Sequence, residues 1–381
     1  MRYAYFDFIY NLGGAQKSTI DLINNLSSNG FDILLFDAHG ECDRFTQAAN
    51  QKGLKYYVVK PIDNSVLGRK NKFKRILSIL RYFPTYFATT LSLIRKVRED
   101  KVEFIWTNTF KGLFPLLLVK FFLKKRIGFF VRGEGAFKHG SKLKTFLHKN
   151  FVDVFFVQSE NIRSQSNYFS QNHNNVFIIN NIIDLDALDI GDNFDFDKNF
   201  INIALPASVI PEKGIKEAIE AMKTLVAKCN IKLYIIGNTF EGKANTRAFF
   251  QEMKDYIAKY ELDNHIEFLG FRDDVLNIIK GADLVLLPSY SEGMPRVVME
   301  AMALETFVIA TNVGAIPDLL FNNLDYMIKP RDHREIEKAI LKFVSERRYL
   351  GDKLESNKNF IQANYSRANQ LARFKMFTDW L

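Results

Sequence analysis

The sequence predicts an α/β chain built as two parallel-sheet domains, and three observations predict it. Short strands that are apolar throughout alternate with helix-length segments, the pattern of sheets covered on both faces. The 381 residues are enough to close two cores. An Asp- and Asn-rich stretch, "DLDALDIGDNFDFDKN" (184–199), interrupts the alternation near the middle. The expected division is residues 1–190, residues 191–363 and a helix over 364–381 whose amphipathic end, "FKMFTDWL", packs back toward the first domain.

In the first half, strand "RYAYFDFIY" (2–10) turns at "NLGGAQ" (11–16) into a helix at 15–29. Strands follow at "DILLFDA" (32–38), "YYVVK" (56–60), "VEFIWTN" (102–108), "RIGFFVRG" (126–133), "VFFVQS" (154–159) and "VFIIN" (176–180). The second half is more regular. After "FINIALPA" (200–207), the segment "GIKEAIEAMKTLVAKC" (214–229) sets Ile215, Ala218, Ile219, Met222, Leu225 and Val226 on one helical face. Then come strand "IKLYIIG" (231–237), a polar helix near 245–260, strand "HIEFLGF" (265–271), helix "DDVLNIIKGA" (273–282) and strand "ADLVLLPS" (282–289). A further helix leads to strand "FVIAT" (307–311).

Composition excludes several classes. Hydrophobic residues make up 47% and charged residues 25% of the chain, the balance of a globular protein. Cys42 and Cys229 are the only cysteines and have no motif partners, which fits reduced thiols in a cytosolic protein. The start of the chain lacks the long apolar centre of a signal peptide. The apolar stretches at 82–94 and 113–123 fall short of the roughly 20 residues that a membrane span needs. The six histidines show no ligand spacing, and "DFD" (195–197) lies in the polar linker, so no metal site is expected.

The net charge of +9 is one-sided: residues 66–149 hold 20 Lys and Arg against four Asp and Glu. Such a field attracts polyanions. No helix-turn-helix, zinc-finger or RNP pattern accompanies it, which argues against nucleic acid. An anionic membrane face fits better, because each cation held near it contributes roughly 1 kcal/mol.

The chemistry concentrates in "PSYSEGMPRVVMEAMALETFVIATNVGAIPDLL" (288–320), where seven residues separate Glu292 from Glu300. Ligands of open parallel sheets bind beyond the carboxyl ends of strands. Gly293 permits close backbone approach there, Pro295 suits a first helical turn, and the helix start favours an anion such as phosphate. Glu292 then makes more sense facing a hydroxyl-rich neutral group, and Glu300 can accept two hydrogen bonds from a diol. Glu292 as a helix cap and Glu300 as a surface residue is the alternative.

This stretch closely resembles the donor-site signature of the large retaining GT-B glycosyltransferase family often called family 4, or group 1. The resemblance implies two Rossmann-like domains facing each other across a cleft that closes on the donor. It implies that Glu292 contacts the donor sugar, that Glu300 binds ribose, and that the backbone of Gly293, Met294, Pro295 and Arg296 meets the diphosphate. "ASVIPEKGIKEAIEAM" (207–222) is similar to the segment whose lysine, here Lys213, neutralises the leaving diphosphate; the arginine usual five residues earlier is Ser208. Arg272 or Arg296 is then the candidate to replace that cation. "FLGFRDDV" (268–275) resembles the element beside the nucleotide base, which places Phe271 and Arg272 there. "NLGGAQKS" (11–18) resembles the first-domain glycine loop, with Gly13 and Gly14 near donor and acceptor and Gln16 where relatives often have Glu. In "FFVRGEGAFKH" (129–139), Glu134 or Arg132 stands where relatives carry an acceptor-side His-Gly, and "NNIID" (180–184) leaves only a hinge-side position near Asn181.

The implied enzyme moves a hexosyl group from a nucleotide-diphosphate sugar, UDP foremost, to a lipid-linked, lipopolysaccharide or capsule glycan, without a metal. Its expected place is the cytoplasmic side of the plasma membrane, peripherally bound through the basic residues of 66–149. A nucleotide-sugar epimerase of the same architecture and a non-catalytic nucleotide-sugar-binding protein remain the alternatives.

Overall fold

A computed structural model describes residues 1–61, 72–133, 142–165, 174–184, 190–192, 194–238 and 244–381. The chain divides into two compact units. The first comprises 1–158, 166–182 and 370–381, the second 159–165 and 183–369.

The first unit carries seven parallel strands: β1 (Arg2–Asp7), β2 (Asp32–Asp37), β3 (Lys55–Val58), β4 (Phe104–Thr107), β5 (Arg126–Val131), β6 (Val154–Val157) and β7 (Val176–Ile178). They lie in the order β3-β2-β1-β4-β5-β6-β7. Most positions in the central strands are buried, as their unbroken apolar and aromatic runs require. One face packs on helices Gly14–Ser28 and Asp43–Gln51 and on the chain end. There Phe377 lies with its ring 4.9 Å from that of Phe104 and 5.0 Å from that of Phe156. The other face takes helices Lys72–Glu99, Phe110–Leu123 and Lys142–Phe151. The crossovers into β4, β5 and β6 all advance the same way along the sheet, so right-handed connections lay these three helices side by side. His148 of the third helix is buried among the rings of Phe129, Phe110 and Phe155 at 4.4, 5.7 and 6.3 Å.

The second unit holds six parallel strands: β8 (Ile201–Pro206), β9 (Ile231–Ile236), β10 (Ile266–Gly270), β11 (Leu284–Leu287), β12 (Phe307–Thr311) and β13 (Met327–Ile328), ordered β10-β9-β8-β11-β12-β13. Helix Ile215–Leu225 buries Ile215, Ala218, Ile219, Met222 and Leu225, the face that its 3.6-residue period marks. It is shorter at both ends than the segment 214–229 suggests. Gly214, at φ +68°, cannot continue a right-handed helix, and the chain turns after Leu225.

Several elements have no counterpart in the sequence reading: helices Lys72–Glu99, Phe110–Leu123, Lys142–Phe151, His333–Glu346 and Gly351–Asn364, and strand β13. Phe110–Leu123 is apolar nearly all round, so it shows no helical period.

Strand order reverses between β1 and β4 in one sheet and between β8 and β11 in the other. At such a switch point neighbouring connections leave to opposite faces, which opens a crevice at the carboxyl ends of the strands.

Phe377→Ala removes a fully buried ring from the first core and should cost about 3–5 kcal/mol, read as a lower urea midpoint. An unshifted midpoint would contradict this packing.

Candidate functional site

In the second unit the chain leaving β8 forms a single 3₁₀ turn, Pro211–Lys213, before helix Ile215–Leu225. The chain leaving β11 runs through Ser289 to Glu292 before helix Arg296–Ala303. The two strands flank the switch point, and these connections meet over it. Lys213 Nζ donates to Glu292 Oε1 at 2.6 Å, with both side chains largely shielded from solvent.

Backbone constraints hold that pair. A Cβ on Gly214 would lie 2.0 Å from the Pro288 carbonyl oxygen, so only glycine lets the two connections touch. Gly314, at φ +58°, plays the same part below the glutamate: a Cβ there would lie 2.3 Å from the Glu292 carbonyl oxygen. Tyr290 ties the connections a second time. Its N–H donates to the Glu212 carbonyl at 2.9 Å and its hydroxyl to Glu217 Oε1 at 2.6 Å. Thr311 Oγ1 donates to the Ser289 carbonyl at 2.6 Å, and Ala315 N–H to that of Gly293 at 2.7 Å.

Helix Arg296–Ala303 begins at Pro295 as its N-cap, one residue earlier than a first-turn position, and no side chain caps it. Its first N–H groups and dipole therefore favour an anion placed at its head. Arg296 Nε stands 3.4 Å from Glu300 Oε1, one turn apart on the same helix face, and Met294 is buried beneath the loop.

Along the same sheet edge, Asn238 links the remaining expected residues. Its carbonyl accepts from Val209 N–H, next to half-buried Ser208, at 3.1 Å, and its Oδ1 accepts from Phe271 N–H at 3.0 Å. Phe271 is 51% exposed at the sheet's carboxyl edge. Arg272 forks onto Asp274 at 2.8 and 2.6 Å, and Arg296 reaches toward Glu300, so each arginine proposed to replace the cation missing at Ser208 already has an acidic neighbour. The carboxylate Oδ1 of Asp197, in the "DFD" triplet, accepts from Asn199 N–H. Among the described residues no cluster of three or more His, Cys, Asp or Glu could hold a metal ion.

The first unit has a polar cluster at its own switch point. Asp7, the last residue of β1, is fully buried. It accepts from Thr109 Oγ1, from Phe8 N–H at 2.9 Å, from Tyr5 OH at 3.1 Å and from Asn108 N–H at 3.3 Å. Arg132, just past β5, donates to Thr19 Oγ1 at 2.9 Å and to Asn181 Oδ1 at 3.3 Å, and lies 3.8 Å over the ring of Phe130. Burial lowers its guanidinium to about 10, against the pull of Tyr5 and Asp7, so it stays a cation at neutral pH. Thr19 belongs to the helix that opens at Gly13 and Gly14. Gly14 has open space around its missing Cβ, and a Cβ on Gly13 would meet only the end of Gln16 at 3.3 Å. Neither has a positive φ, so this fold does not itself demand glycine there. Glu134 and His139 lie outside the described residues.

Sequence reasoning missed Gly314, Tyr290, Thr311 and Asp7. The signals are faint: Tyr290 and Glu217 are 73 residues apart, and a lone Asp at a strand end is ordinary.

Two outcomes follow. Gly214→Ala should lower stability by about 1–3 kcal/mol in urea denaturation, since it forces a left-handed φ and a backbone clash. Burial raises the Asp7 carboxyl from 3.8 to about 6, against its hydrogen bonds from Thr109, Phe8, Tyr5 and Asn108. Between those values the folded chain keeps a proton that the unfolded chain has released. This group's stabilising contribution is therefore complete below 3.8 and is lost as pH rises through about 6. The stability difference between the native chain and Asp7→Asn should accordingly fall with pH across that window, and parallel pH curves would refute it.

Comparison with known proteins bears on the fold and on part of the chain. Seven- and six-stranded parallel sheets in two Rossmann-like units are the GT-B architecture. The crystal structure of Anabaena HepE in complex with UDP superimposes with a TM-score of 0.79 over 100% of both chains, at 16% identity. In Bacillus subtilis, TuaC, provisionally named a teichuronic acid biosynthesis glycosyltransferase, is 31% identical over 157 residues, 41% of this chain and 36% of that protein. The capsular polysaccharide biosynthesis glycosyltransferase CapM of Staphylococcus aureus is 29% identical over 150 residues, 39% of this chain and 37% of that protein. The matched region thus spans little more than a third of these curated relatives. Residues 192–367, which contain Ser208, Lys213, Phe271, Glu292 and Glu300, match the family described as glycosyl transferases group 1.

Proposed function

We propose that this chain is a retaining glycosyltransferase that moves a hexosyl group from a UDP-sugar to a hydroxyl of a lipid-linked, lipopolysaccharide or capsule glycan. The observation that carries the reading is the Lys213–Glu292 pair over the β8/β11 switch point, set beside an uncapped helix start. The UDP complex of a protein sharing the fold supports the donor class, and the relatives named for polysaccharide biosynthesis support the acceptor class.

In this mechanism the diphosphate lies against the backbone of Gly293 to Arg296, with Phe271 and Arg272 beside the base and Glu300 on the ribose. Glu292 faces the sugar hydroxyls. The bond from the anomeric carbon to the diphosphate oxygen breaks, its electron pair leaving with the phosphate. The acceptor oxygen forms the new bond from the same face and gives its proton to the departing phosphate. Charge grows on the diphosphate in the transition state, so Lys213 and the helix N–H groups count most there. Gly13 and Gly14 leave room at the head of the first-unit helix, and Arg132 and Glu134 serve the acceptor. No step calls on a metal.

Lys213→Ala should lower kcat about 10²–10³-fold, the loss usual for one group that stabilises developing charge. Glu300→Ala should weaken UDP-sugar binding in calorimetry, and Gly14→Val should impair turnover without lowering the melting point. Unchanged donor affinity in Glu300→Ala would overturn the ribose assignment. Conversion of the donor to its epimer without any acceptor would overturn the transferase reading itself.

A further inference from the structure

The outer side of the first unit's three-helix layer is apolar where a solvated layer would be polar. Phe83, Phe87 and Leu91 recur every fourth residue along helix Lys72–Glu99, all exposed, while Leu93 and Val97 of the same helix are buried. Phe114, Leu118, Phe121 and Phe122 repeat the pattern on Phe110–Leu123, with Leu113, Leu116 and Val119 buried beneath. Phe121 and Phe122 are 76% and 63% exposed. Phe146 and Phe151 extend the surface onto the third helix. Nine of the seventeen large apolar side chains exposed among the described residues sit on these three neighbouring helices. Contiguous exposure of this kind marks an interaction face.

Charge decides the occupant. The stripes lie within residues 66–149, a segment with 20 basic residues to four acidic ones, and exposed Lys124 and half-buried Lys125 follow Phe122 after Leu123. A second copy would bring the same excess of positive charge against itself, and repulsion would oppose that contact. An anionic bilayer accepts both features, taking rings and aliphatic chains into the acyl boundary and lysines onto the headgroups. None of the described helices is long and apolar enough to cross a membrane, so the chain would lie on the surface.

We infer that the outer face of helices Lys72–Glu99, Phe110–Leu123 and Lys142–Phe151 docks on an anionic lipid surface, Phe121 and Phe122 entering the bilayer and Lys124 and Lys125 its headgroups. The inference deepens the reading of a lipid-linked acceptor and rests on it for the purpose of docking.

The test is flotation of the full chain with vesicles of phosphatidylcholine alone or with about a third phosphatidylglycerol. Binding is expected on the anionic vesicles only, and should weaken as salt rises from about 0.1 to 0.5 M. Phe121→Ser with Phe122→Ser, and separately Lys124→Glu with Lys125→Glu, should each reduce partitioning at least about tenfold with the melting point and UDP binding unchanged. Equal flotation on neutral vesicles, or undiminished flotation of either double variant, would overturn the proposal. So would a dimer that the phenylalanine variants dissolve, because a second copy would then own this face. Calorimetry with UDP on the same preparations separates the two readings. Flotation lost with UDP binding intact removes the docking surface alone, and the reverse removes the donor site alone.

Discussion

An ion pair between residues 79 positions apart organises the second unit. Lys213 and Glu292 can meet only because β8 and β11 lie side by side with their connections leaving in opposite directions. The contact further requires that two backbones touch at Gly214 and that a third turn tuck under Glu292 at Gly314. Removing water from a lone lysine or a lone carboxylate is costly, and pairing at 2.6 Å offsets that cost for both. The same pairing keeps a cation and a carboxylate poised where a parallel sheet receives its ligands.

The two units solve one problem twice. Each has a parallel sheet with a reversal of strand order, and each gathers its polar side chains at the carboxyl edge beside it. In the second unit the charges are partly accessible. In the first, Asp7 is buried and Arg132 half-buried, and they spend their hydrogen bonds on the surrounding backbone and on Thr19 and Asn181. Through the hydrogen bond from Arg132 to Thr19 that cluster also fixes the helix that begins at Gly13 and Gly14. The glycines divide on similar lines: Gly214 and Gly314 are required by the fold, whereas Gly13 and Gly14 are not.

Much of the second unit is legible in the sequence, because its strands are short and apolar and its helices amphipathic. Ile215, Ala218, Ile219, Met222 and Leu225 fall on a single face by period alone, and all are buried. The spacing of Glu292 and Glu300 could be read, as could Lys213 in its Pro-Glu-Lys-Gly turn. That Glu292 lies beside Lys213 could not be read, since this pairing depends on strand order. The first unit hides more. Helix Phe110–Leu123 is too uniformly apolar to show a period, and its outward-facing rings are distinguishable from core only once the sheet beneath it is known. Asp7 illustrates the limit: what distinguishes it is burial among four donors brought from β1 and from the start of the chain after β4.

The central claim is that the lysine at the second switch point serves a diphosphate. A crystal structure of the protein with bound UDP tests this most directly, through the distance from Lys213 Nζ to the phosphate oxygens. The account predicts that Nζ lies within hydrogen-bond reach of the diphosphate at the head of helix Arg296–Ala303. A nucleotide bound elsewhere on the chain, with Lys213 still donating only to Glu292, would contradict it.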